Sequence, residues 1–231
     1  MRVLAVDAAT EACSVALLNG EETIGRFALG GLSAAPQLIA MVEAVLAEAG
    51  VTLSMLDGLA SSIGPGAFTG VRISVAVAQG LAFGAGLRVA AVTTLEALAL
   101  HAIRRGAARV LACLDARMGE VYWGCFAADA ERGLIAMGPL GVGPPQSVVL
   151  PVPGVYHGIG RGFAAYPSLG SLAGVDLDPE RREALPNARE FAWLGAQRLT
   201  RGEALDPADI EPLYLRDKVA LTEAERRLKA P

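Results

Sequence analysis

Val3-Leu4-Ala5-Val6-Asp7-Ala8-Ala9-Thr10-Glu11-Ala12-Cys13-Ser14-Val15-Ala16-Leu17-Leu18 opens the chain. The apolar run over residues 2–6 has the pattern of a buried strand. Residues 12–18 read as a second strand returning antiparallel, with residues 7–11 as the turn. The arrangement recurs in the middle of the chain: residues 110–115 form an apolar run ending in Asp115-Ala116, and residues 120–126 supply the answering strand. Asp7-Ala8 and Asp115-Ala116 thus stand in corresponding places. Two segments that each begin strand, aspartate turn, strand predict a duplicated α/β architecture. The boundary falls at Arg104-Arg105-Gly106, giving lobes 1–105 and 106–231.

After the first hairpin, residues 36–49 have helical periodicity, with Ser33 as the upstream cap and Gly50 as the stop. Leu38, Met41, Val42, Val45 and Ala49 share one face, widened by Ile39 and Leu46. Residues 59–63 read as a strand leading into Gly64-Pro65-Gly66-Ala67-Phe68-Thr69-Gly70. This loop launches a helix over 71–85, with Thr69 as its expected cap. Arg72, Ser74 and Gln79 are the only polar side chains of that helix, so it is expected to be buried nearly all round. Ala76, Gly80 and Gly84 form a ridge of small residues that either sits inside the fold or admits a helix from another chain. A strand over 89–92 and a helix over 94–104 close the first lobe. The second lobe holds an irregular Pro/Gly-rich stretch over 138–153, a glycine-spaced segment over 155–162 and a helix over 187–201. The tail 212–231 is expected to pack back on the first lobe.

At 231 residues the chain is large enough to fold around its own core without disulfides. Its three cysteines, Cys13, Cys113 and Cys125, include no C-x-x-C pair and read as buried thiols of a reducing compartment. The apolar opening is interrupted at Asp7, too soon for a signal-peptide core, so a cytoplasmic location is expected. The most lipid-like stretch, 73–92, carries Gln79, Arg88 and three interior glycines, Gly80, Gly84 and Gly86, which argues against a membrane span. A net charge of −4 is a poor match for a chain that grips nucleic acid alone; any RNA would be held with a partner.

Chemistry is sparse. An aspartate at the end of the first strand can serve the phosphates or metal of a nucleotide, and Asp7 with Thr10 keeps that pattern, but the glycine that would let a phosphate approach between them is missing. Asp7 as a plain turn residue fits equally well. Gly158 and Gly160, in Gly158-Ile159-Gly160-Arg161-Gly162, either bring backbone amides to a phosphate in an interlobe cleft or make a simple turn. The 64–70 loop lacks the lysine of a P-loop. His101 and His157 have no histidine or cysteine at metal-ligand spacing, and no serine or cysteine nucleophile has a base assigned to it.

The run Ser62-Ile63-Gly64-Pro65-Gly66-Ala67-Phe68-Thr69-Gly70-Val71-Arg72-Ile73 resembles the G-P-G-S-F-T-G-[LV]-R-I signature shared by two branches of one family, TsaB and TsaD. Val77-Ala78-Gln79-Gly80-Leu81-Ala82 resembles the TsaB continuation. The opening Leu4-Ala5-Val6-Asp7, the middle Asp115-Ala116-Arg117-Met118-Gly119-Glu120-Val121-Tyr122 and the closing Pro212-Leu213-Tyr214-Leu215-Arg216 agree in the same order. The longer catalytic TsaD branch carries an H-x-x-x-H metal motif that this chain lacks, so the resemblance is to the short TsaB (YeaZ) branch.

That resemblance implies a two-lobed, duplicated actin-like (ASKHA) α/β fold. It further implies a non-catalytic subunit of the machinery that makes N6-threonylcarbamoyladenosine (t6A) at tRNA position 37. The implied partners are the catalytic TsaD, the small ATPase TsaE, and tRNA through the complex, and the chain alone is either a homodimer or a monomer. The chain by itself would require no cofactor; ATP or ADP would belong to the complex interface. The first two helices would make the subunit contact, through Leu38, Met41, Val42, Val45, Arg72, Ala76, Gln79, Gly80 and Phe83. Two positions depart from the family: Ala34 stands where histidine is common, and Ala67 where serine is. The competing reading is a stand-alone ATP-dependent kinase or ATPase of the same fold class.

Overall fold

Strand β1 (Arg2–Asp7) pairs antiparallel with β2 (Ala12–Asn19), which pairs antiparallel with β3 (Glu22–Leu29). The computed structural model describes residues 1–30 and 34–216. Helix α1 (Ala34–Ala49) leads to β4 (Gly58–Ser62), parallel to β1; α2 (Phe68–Ala85) then leads to β5 (Val89–Val92), parallel to β4. The first sheet therefore has the order β3-β2-β1-β4-β5. Helix α3 (Thr94–Ile103) precedes β6 (Arg109–Arg117), which pairs antiparallel with β7 (Glu120–Asp129), and β7 with β8 (Gly133–Ala136). A short β9 (Gly141–Gly143) adds to β7. Strand β10 (Tyr156–Ile159) lies parallel to β6, and after α4 (Gly162–Ala165), β11 (Val175–Asp176) lies parallel to β10. The second sheet thus runs β8-β7-β6-β10-β11, repeating the first strand for strand. The hairpins quoted from the sequence are the matched pairs β1-β2 and β6-β7, so the duplication is real and the fold is the duplicated actin-like α/β class.

Five layers result. Helices α1 and α2 cover the outer face of the first sheet over Leu4, Val6, Val15, Leu17 and Leu59. Between the sheets lie α3 and α5 (Ala188–Thr200), with Leu95, Leu98, Phe191 and Ala192 in one continuous core. The outer face of the second sheet is covered by α4 and irregular segments around Tyr156, Phe163 and Leu169. The central strands β1 and β6 are buried on both faces, which explains their apolar runs, while the edge strands β3 and β8 are partly exposed.

The boundary near residue 105 separates the two sheets but not the middle helices. Helix α5, from the second half of the chain, lies against the first sheet, where Gly195 faces Ala60 and Val3. Helix α3 begins with a capping box: the Thr93 hydroxyl accepts from the Glu96 N–H (3.2 Å) and the Glu96 carboxylate accepts from the Thr93 N–H (2.8 Å). Asn187, read as the first residue of that helix, is instead its cap, accepting from the Arg189 N–H at 3.1 Å.

Several expectations are corrected. Helix α2 begins at Phe68, so Thr69 lies inside its first turn and Ala67 occupies the cap position without a side-chain bond. A serine there would supply the missing acceptor, which gives the Ala67 departure a structural meaning. Ser33 and the tail beyond Arg216 lie outside the described residues. Strand β3 follows a tight turn after β2 and was not read from the sequence. The largest correction concerns α2 itself. It is long and apolar enough by composition to cross a membrane, yet only a third of its length is buried. One face, through Val71, Val75, Ala78 and Ala82, packs on the sheet, and the opposite face is at the surface.

A Cβ at Gly195 would lie 2.5 Å from the Ala60 Cβ and 3.4 Å from a Val3 methyl, so Gly195→Ala must lift α5 off the sheet. Urea denaturation is expected to show a loss of about 1–3 kcal/mol, the usual cost of overpacking.

Candidate functional site

The two aspartate turns meet across an interlobe cleft of about 560 Å³, lined by Thr10 and Glu11 of the first turn, Asp115 and Arg117 of the second, Gly66-Ala67, and Arg161. Of the four residues singled out for a nucleotide, only Thr10 lines this space. Asp7 is fully buried. Its Oδ1 accepts from the Ala9 N–H (3.0 Å), while its Oδ2 and the Ser62 hydroxyl are buried outside hydrogen-bond geometry. Burial raises the Asp7 carboxyl to about 6, with the Ala9 amide and the nearby Ser62 hydroxyl pulling the other way.

What seals Asp7 is the glycine-rich loop. The Ala67 N–H donates to the Ala9 carbonyl at 2.7 Å, and the Ser74 hydroxyl accepts from the Ala8 N–H at 2.8 Å. A Cβ on Gly66 would collide with the Ala9 carbonyl, and one on Gly70 with the Ala8 carbonyl. These glycines therefore seat the start of α2 directly on the β1-β2 turn, and the amide that would greet a phosphate is spent on the chain itself.

Gly158 and Gly160 are likewise packing glycines. A Cβ on Gly158 would press on the Phe163 ring, and Gly160, at φ 104°, abuts the Cys113 carbonyl while its N–H donates to the Arg181 carbonyl (2.9 Å). Both are buried, so the structure does not join them to Asp7 in a phosphate site.

The cleft's cations are committed. Arg161 pairs with Glu11 across the lobes and with Glu183 at 3.3 Å; Arg117 pairs with Asp115 at 3.0 Å. Asp115 also accepts from the Tyr166 hydroxyl at 3.3 Å, and burial together with the Asp115 charge raises the Tyr166 phenol. An anionic ligand would have to displace carboxylates here. Glu11, Arg117 and Arg161 were not picked out of the sequence as cleft residues; Arg161 stood inside the glycine segment, where the spacing drew attention to its neighbours. His101 and His157 line a separate cavity of about 750 Å³; His101 Nδ1 lies 3.1 Å from the Glu190 carboxylate, and His157 Nδ1 lies 2.8 Å from the Arg181 guanidinium and 3.0 Å from the Asp176 carboxylate. Among the described residues no cluster of three or more His, Cys, Asp or Glu side chains is placed to hold a metal. All three cysteines are buried, and burial pushes the Cys125 thiol up to about 11.

The second feature is the outer face of α1 and α2. Leu38, Val42 and Val45, assigned to a partner contact, are buried against the first sheet, because a sheet apolar on both faces uses the apolar stripe of α1 as its own cover. Met41 is half-buried beside them. Gln79 is turned to the chain's own carbonyls at Pro207 (3.0 Å) and Ile210 (3.3 Å). Arg72, Ala76, Gly80 and Phe83 do face outward, with Ile39 and Ala40 of α1 and with Phe68 and Gly84. Phe83 is 62% exposed, and nothing lies within 4 Å of a Cβ built on Gly80 or Gly84.

Fold and site together define a two-lobed actin-like protein whose phosphate corner is closed and whose first helix layer presents an apolar outer surface. The family described as "TsaD: tRNA N6-adenosine threonylcarbamoyltransferase" matches residues 34–158. The Escherichia coli K12 protein named tRNA threonylcarbamoyladenosine biosynthesis protein TsaB is 39% identical over 95% of this chain and 96% of its own. Its Haemophilus influenzae namesake is 34% identical over 95% of each. The solved structure of YeaZ from Pseudomonas aeruginosa superposes with a TM-score of 0.86 at 40% identity, covering 93% of this chain and 99% of that one. The chain belongs to the TsaB (YeaZ) family, whose named members here are proteins of tRNA threonylcarbamoyladenosine biosynthesis.

Because the folded carboxyl of Asp7 titrates above its unfolded value, the folded state holds the extra proton between pH 4 and 6, and stability falls as pH rises through that window. Replacing Asp7 with Asn removes this dependence. Denaturation of both proteins at pH 4 and pH 7 is expected to show the variant gaining relative to the parent with rising pH, by up to about 3 kcal/mol.

Proposed function

We propose that this protein is a non-catalytic subunit of the t6A-forming assembly, docking the catalytic TsaD subunit on the outer face of α1 and α2. The observation that carries the reading is α2: a helix of almost wholly apolar composition with a ridge of Ala76, Gly80 and Gly84 open to solvent and Phe83 beside it. Apolar surface of this kind is covered in a working complex, and small residues let a partner helix approach to about 8–10 Å between axes. Family membership names the pathway, and the closed phosphate corner speaks against a stand-alone kinase or ATPase. TsaE joins the assembly, tRNA is engaged through the complex, and ATP or ADP is bound where the subunits meet. Without TsaD the same face pairs two copies of the chain.

Gly80 separates the fold from the contact. Since its Cβ position is open, Gly80→Ala is expected to stabilise the isolated chain by about 0.5–1 kcal/mol through helix propensity. Gly80→Leu is expected to leave the fold intact and abolish the one-to-one complex seen by light scattering when the parent is mixed with TsaD. A folded Gly80→Leu chain that still forms the complex would refute this contact, and a parent chain that forms none while turning over ATP alone would refute the subunit reading.

A further inference from the structure

Residues 205–216 run back along α2 and finish on the other lobe. Leu205 exchanges backbone hydrogen bonds with Val89 at 2.9 and 3.0 Å, and Ile210 is buried in the core beneath α2. Beyond Ile210 the attachments become polar and more exposed. The Leu213 N–H donates to the Ile63 carbonyl at 2.8 Å. The Tyr214 hydroxyl accepts from Arg72 Nε at 2.9 Å, and that guanidinium stacks 3.4 Å above the Phe68 ring. Arg216 then crosses to the second lobe, donating to the Ala116 carbonyl at 3.0 Å and pairing with the Glu120 carboxylate.

Ala116 and Glu120 bracket the β6-β7 turn, where Arg117 and Met118 hold φ of 60° and 57°, a conformation costly for side chains other than glycine. Arg216 therefore clamps a strained turn from both ends. Ala116, Arg117 and Tyr122 line the interlobe cleft, and the same three with Leu213, Tyr214 and Arg216 enclose a side pocket of about 210 Å³.

We infer that segment 205–216 is a strap coupling the outer helix α2 to the β6-β7 turn that lines the interlobe cleft. Ile210 fixes its first half to the first lobe, and its second half is a latch released by breaking Arg216 from the β6-β7 turn. Arg72 and Gln79 tie the strap to α2, so a load on that helix reaches the β6-β7 turn, and by linkage a change at that turn reaches the helix with equal free energy. The latch is held by hydrogen bonds, one ion pair and the partly exposed contact of Tyr214 with Phe68, and none of its residues is buried, which places it at the low-stability end of the molecule. The Arg161–Glu11 pair also spans the cleft but touches no strap residue, and it provides the control.

Hydrogen–deuterium exchange of the full chain, with Arg216→Ala, Gln79→Leu and Glu11→Gln compared with the parent, tests this; thermal melts establish that each is folded. Arg216→Ala is expected to speed exchange about tenfold, the loss of a charged hydrogen-bond partner, at the 117–121 amides and also at Leu213 and the first turn of α2, which Arg216 does not touch. Gln79→Leu, which alters only the other end of the strap, is expected to speed exchange at 117–121. Glu11→Gln is expected to leave Leu213 and α2 unchanged. An Arg216→Ala effect confined to the turn, a silent Gln79→Leu, or an equal effect of Glu11→Gln on α2 would each overturn the coupling.

Discussion

The backbone of the β1-β2 turn lies against the start of α2 so closely that Gly66 and Gly70 have no room for a Cβ beside the carbonyls of Ala9 and Ala8. From this contact the rest of the molecule follows. It spends the Ala67 amide on the Ala9 carbonyl, buries Asp7 behind the loop, and holds α2 at the angle from which Val71, Val75, Ala78 and Ala82 reach the sheet. Once that face is committed, the face of α2 carrying Ala76, Gly80 and Phe83 is left at the surface by the described residues. One constraint thus closes the place where an actin-like protein would hold phosphate and opens the surface through which a partner is proposed to bind.

The cleft that remains is a space with its charges already matched. Arg117 and Arg161 are each within ion-pair distance of a carboxylate, and Asp115, the counterpart of Asp7, is tied to Arg117 and Tyr166. Surface pairs of this kind contribute roughly 0–1 kcal/mol each, so they are exchangeable in a way that the buried Asp7 is not. That difference suits a cleft whose width responds to contacts elsewhere better than one built to hold a nucleotide unaided. The strap is the matching element on the outside: its buried half is set by Ile210, its polar half by Arg72 and Arg216.

Between the sheets, α3 and α5 join the two lobes in one apolar core, each helix lying nearest the sheet of the other half of the chain. This exchange explains why residues far apart in sequence, Gly195 with Ala60 and Arg198 with Glu96, make close contacts, and why the two halves are not independent bodies.

Much of the architecture was legible because burial on both faces leaves a plain mark: β1, β6 and their answering strands are unbroken apolar runs, and the repeated Asp-Ala at their ends exposed the duplication. Local chemistry also spoke clearly where a few neighbouring residues suffice, as at the Gly50 stop of α1 and the buried cysteines. The site was less legible. Composition made α2 look buried all round, and the family resemblance assigned the stripe of α1 to a partner, whereas the sheet covers the α1 stripe and only one face of α2. Glycines at 158 and 160 read either as a phosphate approach or as a simple turn, and they face the Phe163 ring and the Cys113 carbonyl of the same chain; Gly66 and Gly70, read as launching α2, seat it on the β1-β2 turn. By itself the sequence determined which segments are apolar, which turns repeat and which family the motifs resemble, since these depend on periodicity and residue identity. Only the tertiary structure decided which apolar face is spent on the chain's own core and which faces out, because that choice depends on what packs against each helix from distant parts of the chain.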